Sequence, residues 1–348
     1  AVTFGSLASS FLALIAATGR SGTELAPWSA FMLAIAGYGC GAIVLWVAGG
    51  WQALRRRVGY LMLFGTAMGL VQYTLAQFGF YTIASFLAGL VGLGLMLFTF
   101  QRAGGESKIP AWSLLPYVLL VAIVLLGQSI LKTVLDFMVL NLSFDRVETA
   151  KGWLVPAGSG RSINLFGHGG ALLLYTILIT TAIYLIQKRL DSGSIVRILK
   201  GTWKRGIRTT IGIFTMVAMA VVMDNAGMTQ LIAEGMSQGV GRAFPAIAPW
   251  IGALGAFMTG SNTNSNVVFA SMQQQTAVLL GMSPAIILAA QTTGGAIGAL
   301  FAPAKVIVGC STVDLEGEEA GVFRLALLYG GVILLSITVL TVLAVWLS

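Results

Sequence analysis

Charge is what this sequence has least of. Asp, Glu, Lys and Arg make up 9% of its 348 residues while 57% are hydrophobic, against about 25% charged for an ordinary soluble domain. That shortage excludes a soluble fold and places the chain in lipid. There is one histidine and there are two cysteines. Cys40 and Cys310 both stand in apolar surroundings without metal-ligand spacing, so neither a disulfide framework nor a zinc site is supported, and both read as packing residues. A membrane-embedded enzyme would need a nucleophile with a base, or a metal cluster. The single histidine and the scarcity of acids in the apolar runs argue against both, so no enzyme and no cofactor is expected. A basic n-region is also lacking, and AVTFGSLASSFLALIAATG opens without an initiator Met. No cleavable signal peptide is visible, and the chain reads as one whose beginning has been removed.

What the sequence does have is long apolar runs. Leu25 to Leu54 and Val58 to Gln101 contain no charged residue and no histidine. A span takes about 20 residues at 1.5 Å each, so the second run holds two helices, with a turn expected near Gln77 to Gly79. Candidate membrane segments fall at residues 1–18, 27–50, 59–78, 80–100, 113–131, 169–187, 209–227 and 325–347. The net charge of +8 could suggest nucleic acid if it formed a solvated basic face. It sits instead in short segments between apolar runs, at Arg55, Arg56 and Arg57, then from Lys188 and Arg189 through Lys200, Lys204, Arg205 and Arg208. That is the positive-inside pattern. It puts 51–58 and 188–208 in the cytoplasm, brings Arg102 and Lys108 back to that side, and leaves Asp136, Asp145 and Glu148 facing out; Lys132, Arg146, Lys151 and Arg161 in the same outer stretch run against the rule.

Trp51, Trp112 and Trp203 sit where interfacial anchors belong. Segment 189–208, with Ile195, Val196, Ile198, Leu199 and Trp203 among its bases, reads as an amphipathic helix along the cytoplasmic surface. The division along the chain is 1–131 as membrane helices, 132–168 as a polar extracytoplasmic connection, and 169–348 as a transport region. From about 209 to 322 the apolar runs shorten and are broken at Met223 to Thr229, at Met258 to Asn266, and at Gln291 to Gly295 with Phe301 to Lys305 shortly after.

Backbone that leaves a helix at membrane depth must be satisfied by protein, water or ligand, so such breaks tend to mark sites, with half-helix N-termini facing anions. Ser261, Asn262, Thr263, Asn264, Ser265 and Asn266 are six polar residues in succession between apolar runs. They offer amides, hydroxyls and backbone N–H groups at a helix start, and a re-entrant hairpin accounts for them. The alternative is a plain N-cap in an extramembrane loop. In TTGGAIGALFAPAK, Gly294 and Gly298 have small-xxx-small spacing and could serve packing alone, while Thr292 and Thr293 need partners if buried. Lys305 stands alone among apolar residues. A cation at that depth costs about 2.5 to 3.5 kcal/mol, which implies either an anionic partner or snorkelling to an interface. Asp224, following IGIFTMVAMAVVM, is the proton-coupling candidate, because desolvation raises a carboxyl's pKa; it could equally cap the next helix. His168 reads as an interface residue.

IGALGAFMTGSNTNSNVVF and AAQTTGGAIGALFAPAKVIVGCSTV, followed by an acidic turn and EAGVFR, resemble the C-terminal part of the L-lactate permease family. The resemblance extends more weakly back to AVTFGSLASSF. It implies an all-α polytopic fold of about eight transmembrane helices with two re-entrant hairpins, at 258–266 and 291–305, forming part of an inverted-repeat transporter of the bacterial cytoplasmic membrane. It implies proton symport of lactate or a related 2-hydroxy monocarboxylate such as glycolate, with Ser261, Asn262 and Thr263 holding the carboxylate. Asn264, Asn266, Thr292, Thr293, Gly294 and Lys305 complete the candidate site. Members of the family are longer, so this chain is expected to lack an N-terminal part of the same protein. Its partners are then a small organic anion, a proton and the bilayer, with no nucleic acid. Its rivals are a carrier of another anion of the same superfamily and a membrane subunit with no site.

Overall fold

The computed structural model describes residues 3–100, 111–128, 131–148, 154–155, 158–312, 315 and 317–348. The helices and strands in chain order are α1 (Gly5–Thr18), α2 (Gly22–Gln77), α3 (Tyr81–Phe100), α4 (Ala111–Gln128), α5 (Lys132–Leu135), β1 (Val139–Phe144), β2 (Val147–Glu148), β3 (Leu154–Val155), β4 (Gly158–Asn164), α6 (Gly169–Ile186), α7 (Ser192–Asn225), α8 (Met228–Val240), α9 (Phe244–Thr259), α10 (Asn262–Leu279), α11 (Pro284–Gly298), α12 (Pro303–Thr312) and α13 (Glu319–Leu347). Six described segments are long and apolar enough to cross a membrane, and two shorter apolar helices cover Leu7–Thr18 and Leu114–Gly127. The chain is an all-α, multi-pass membrane protein. Its β content is two short antiparallel ladders, β1 with β4 and β2 with β3, inside the 132–168 stretch that reads from sequence as a polar connection. Arg102, Lys108 and Lys151 lie outside the described residues.

Contacts group the chain into two compact units, 1–100 with 220–348, and 101–219. The packing joins α1 to α3 with α8 to α13 in the first of these. In the second unit, α4 lies against α6: Tyr184 donates to the Trp112 carbonyl at 2.7 Å and the Arg189 guanidinium sits 4.8 Å from the Trp112 ring centre, an anchor with a cation–π partner. The amphipathic segment and the span expected after it form one helix, α7. Just ahead of it, Asp191 accepts from the Ser194 hydroxyl and N–H at 2.5 and 3.1 Å, bonds that hold its carboxyl below the usual range.

In the first unit, α2 is bent back on itself. Gly49 and Gly50 leave helical geometry, at φ −172°, ψ 25° and φ 61°, ψ −153°. The arms run antiparallel: Tyr38 bonds Thr66 at 2.6 Å, Gly41 faces Leu61, and Gly69 faces Ala34. The basic stretch between the apolar runs is helical, because nothing in WQALRRRV breaks a helix while the Gly-Gly pair before it does; Arg55, Arg56 and Arg57 are exposed on the second arm. Gly50 occupies a region open only to glycine, so Gly50→Ala is expected to cost about 1–3 kcal/mol. A thermal midpoint in detergent equal to wild type would show that the turn relaxes freely. The next turn falls where expected, with α2 ending at Gln77 and Gly79 at φ 83°.

Three apolar clusters hold this unit together, and α11 runs through them, buried from Ala285 to Gly298. Lipid tails are as apolar as these side chains, so close packing of small residues contributes more than burial does. Two of the expected breaks are present: Gly227 turns α7 into α8 at φ 72°, and Gly260, left-handed at φ 68°, turns α9 into α10. The third is present only in its later part, at Phe301 to Pro303. Gln291 to Gly295 lie within continuous helix, and the interruption is a 3-10 turn at Ala299–Phe301 followed by extended Ala302, before Pro303 starts α12. Glycine's low helix propensity is overridden at Gly294 and Gly295 because both are pressed against neighbours.

Candidate functional site

The polar residues of the first unit converge where α1, α10 and α11 meet. α9 and α10 form a helical hairpin whose tip is Gly260 and Ser261. Ser261 is extended and its hydroxyl accepts from the Asn264 N–H at 3.3 Å, so it does cap α10. Capping is not the whole account of the tip, because Asn262, Ser265 and Asn266 are buried. A helix leaves its first-turn N–H groups without intrahelical acceptors and its N-terminus partly positive, and both features face this tip.

Thr292 is the hub. Its hydroxyl is 3.2 Å from the Thr3 hydroxyl and accepts from the side-chain amides of Asn262 at 3.3 Å and Asn266 at 2.9 Å. Asn262 also donates to the Thr3 hydroxyl at 3.1 Å, and Asn266 to the Ser10 carbonyl at 2.9 Å. The Ser10 hydroxyl meets that of Thr263 at 3.0 Å. Thr3 and Ser10 come from a strained start of α1, where Leu7 and Ala8 adopt positive φ of 53° and 57°, unusual for residues with a Cβ.

One residue away on α11, Gln291 faces α9 and anchors a second network. It donates to the Ser265 hydroxyl at 3.1 Å and accepts from Gln273, which also donates to the Ala248 carbonyl at 3.0 Å; Ser265 in turn donates to the Gly252 carbonyl at 2.7 Å. Gln291 and Gln273 thereby fix α9, α10 and α11 against one another. The backbones approach closely enough that a Cβ on Gly252, Gly294 or Gly298 would fall within 3.0 Å of a main-chain carbonyl of the opposing helix. Gly294 thus packs α11 closely against α9. A Cβ on Gly295 would strike the Asn262 amide oxygen instead, so that glycine positions Asn262.

Several buried acceptors have no hydrogen-bond partner: the amide oxygens of Asn262, Asn264, Asn266 and Gln273, and the Thr293 hydroxyl. An unpaired buried polar group costs about 1–3 kcal/mol, and such groups recur along α10, where the amide oxygens of Gln274 and Gln275 are unpartnered as well. The cluster is built wholly of neutral donors and acceptors.

Of the residues singled out from sequence, the fold brings together Asn262, Thr263, Asn266 and Thr292, with Ser261 and Asn264 at the tip beside them and Thr293 buried next along α11. It leaves Lys305 outside, exposed on α12; its apolar neighbours in sequence line a short helix and do not enclose it. Asp224 lies in the last turn of α7, and its side chain is outside the described residues. His168 caps α6, accepting from the Gly170 N–H at 3.1 Å. Thr3, Ser10, Gln273 and Gln291 are additions. Their only signal in sequence is polarity within apolar runs.

The chain matches the family model described as L-lactate permease over residues 1–348. Relatives include an L-lactate permease of Halalkalibacterium halodurans, 24% identical over 86% of this chain and 59% of the relative, and one of Salmonella typhi, 30% identical over 46% and 28%. A glycolate permease, GlcA, of Escherichia coli is 34% identical over 34% of this chain and 24% of the relative. The chain spans less than two thirds of the length of these relatives. No solved structure matches.

Proposed function

This chain belongs to the L-lactate permease family, and on that premise we propose that it serves secondary active transport of lactate or a related 2-hydroxy monocarboxylate such as glycolate, by proton symport across the bacterial cytoplasmic membrane. It is a carrier and not an enzyme. The observation that carries this reading is the polar junction around Thr292. A 2-hydroxy acid brings acceptors in its carboxylate and a donor in its 2-hydroxyl. The junction supplies both complements: hydroxyls of Thr3, Ser10, Thr263 and Thr292 with the N-terminus of α10 for the carboxylate, and the unpartnered amide oxygens of Asn262 and Asn266 for the hydroxyl.

In this reading Ser261, Asn262, Thr263, Asn264, Asn266, Thr292 and Thr293 carry the site together, with Asn262 and Asn266 bonded directly to Thr292. The tips at 260–261 and 299–302 are re-entrant, and their short helices give the site two-sided access. Lys305, on the surface, attracts the anion towards the protein and does not hold it. Asp224, at the end of α7, is the proton carrier. With few substrate atoms, affinity is modest. Selectivity rests on leaving a buried amide oxygen unpaired when the 2-hydroxyl is missing.

The test is uptake of radiolabelled L-lactate and glycolate into proteoliposomes holding the natural gene product that contains this chain. An inward proton gradient is expected to drive accumulation, and a protonophore to abolish it. Uptake indifferent to the gradient would remove proton coupling; folded protein that takes up neither acid would remove the substrate class.

A further inference from the structure

A groove of about 360 Å³ opens on the face of the first unit where the two arms of α2 part. Gly37 and Leu45 line it from one arm, Arg57, Phe64 and Met68 from the other, and Met96 of α3 closes its far side. Its walls are mostly hydrocarbon, with the Arg57 guanidinium and the Tyr60 hydroxyl as the polar side-chain groups among them. That guanidinium belongs to the exposed triplet Arg55, Arg56 and Arg57, and among the described residues the triplet has no carboxylate partner.

The dimensions are those of one lipid leaflet. From Arg57 to Met68 the second arm rises about 16 Å at 1.5 Å per residue, close to half of a hydrocarbon core about 30 Å thick. Trp51, 64% exposed one turn before the triplet, marks the interface at the charged end. A polar head of negative charge thus meets Arg57 at the depth where headgroups lie, while the groove follows the direction an acyl chain takes towards the midplane.

We propose that this groove is a binding site for an anionic phospholipid, with the phosphate on Arg57 and its neighbours and one acyl chain along Gly37, Phe64 and Met68. Basic residues near a membrane surface each favour anionic lipid by about 1 kcal/mol, and a groove that also holds the chain converts that general attraction into a site. An occupant there would brace the hairpin of α2, whose first arm packs on α11 and so supports the Thr292 junction from behind.

The test is native mass spectrometry of the full chain, released from detergent containing equal amounts of phosphatidylglycerol and phosphatidylcholine with identical acyl chains. Wild type is expected to retain phosphatidylglycerol in preference. Arg57→Gln should cut that preference about fivefold. Gly37→Leu should block the groove and lower retention of both lipids; a Cβ there meets nothing within 4 Å, and an unchanged thermal midpoint in the same detergent checks that the variant folds. Lys200→Gln, which removes a cation exposed on α7 that does not line the groove, should lower the preference clearly less than Arg57→Gln does. Equal retention of the two lipids by wild type, or a loss in Lys200→Gln as large as in Arg57→Gln, would overturn the proposal. So would displacement of the lipid by an equal concentration of glycerol 3-phosphate, since a headgroup alone would then suffice.

Discussion

Thr292→Val is expected to lower lactate uptake by roughly 10- to 100-fold while the protein still folds and inserts. Valine keeps the shape of threonine and removes only the hydroxyl, the one atom that accepts from both Asn262 and Asn266 and meets Thr3. Each asparagine retains another acceptor, Thr3 for Asn262 and the Ser10 carbonyl for Asn266, so the helices stay joined. What is lost is the common point that orients both amides. An amide free to rotate no longer presents its oxygen to the substrate in a fixed direction, and preorganised donors and acceptors are what a small ligand with few atoms depends on. Uptake measured against folded, reconstituted protein separates this from simple instability. Wild-type uptake by Thr292→Val would mean that the junction is structural, and the substrate would have to be sought elsewhere in the fold.

Thr293→Val makes the matching comparison. Its hydroxyl is buried without a partner, so removing it should leave stability the same or slightly higher, because an unsatisfied polar group is relieved. If Thr293 touches substrate, uptake falls in a protein that is no less stable, which a packing role alone would not produce.

How far these features could be read from the sequence differs residue by residue. The turn at Gln77 to Gly79 and the tip at Gly260 and Ser261 were legible because each is a local event, a glycine at positive φ between two apolar runs. The junction itself was half legible. Asn262, Asn266 and Thr292 stand out as polar residues in lipid-bound sequence, but Thr3 lies 289 residues from Thr292, and no periodicity links positions so far apart. The continuity of α11 was not legible, since Gly294 and Gly295 argue locally for a break and only the neighbouring helices reverse that preference. For Lys305 the sequence left an anionic partner and snorkelling open, and its exposure on α12 is compatible with the second. The ladder of β1 with β4 was hidden because its partners, such as Val139 and Asn164, belong to short strands with weak alternation.

Gly294→Ala is expected to destabilise the protein by about 3 kcal/mol or more, at or beyond the upper end of what overpacking costs. Its new methyl would meet the carbonyl of Pro249 and the α-carbon behind it, and main chain cannot rotate aside as a side chain can. α9 and α11 must separate, and the separation is felt on both sides of α11. On one side Gln291 is drawn off Ser265 and Gln273; on the other Thr292 shifts against Asn266, whose bond to it is 2.9 Å. Gly235→Ala, on α8 with nothing near its Cβ, should instead raise stability by about 0.5–1 kcal/mol through helix propensity alone. Thermal midpoints of the two variants in the same detergent should therefore move in opposite directions from wild type. If Gly294→Ala melts where wild type does, the backbones of α9 and α11 do not touch at Gly294, and the Thr292 junction has lost the scaffold that positions it. If it melts lower, uptake measured well below its midpoint tests the geometry itself: Thr292 has moved relative to Asn262 and Asn266, and transport should stay reduced even while the protein remains folded.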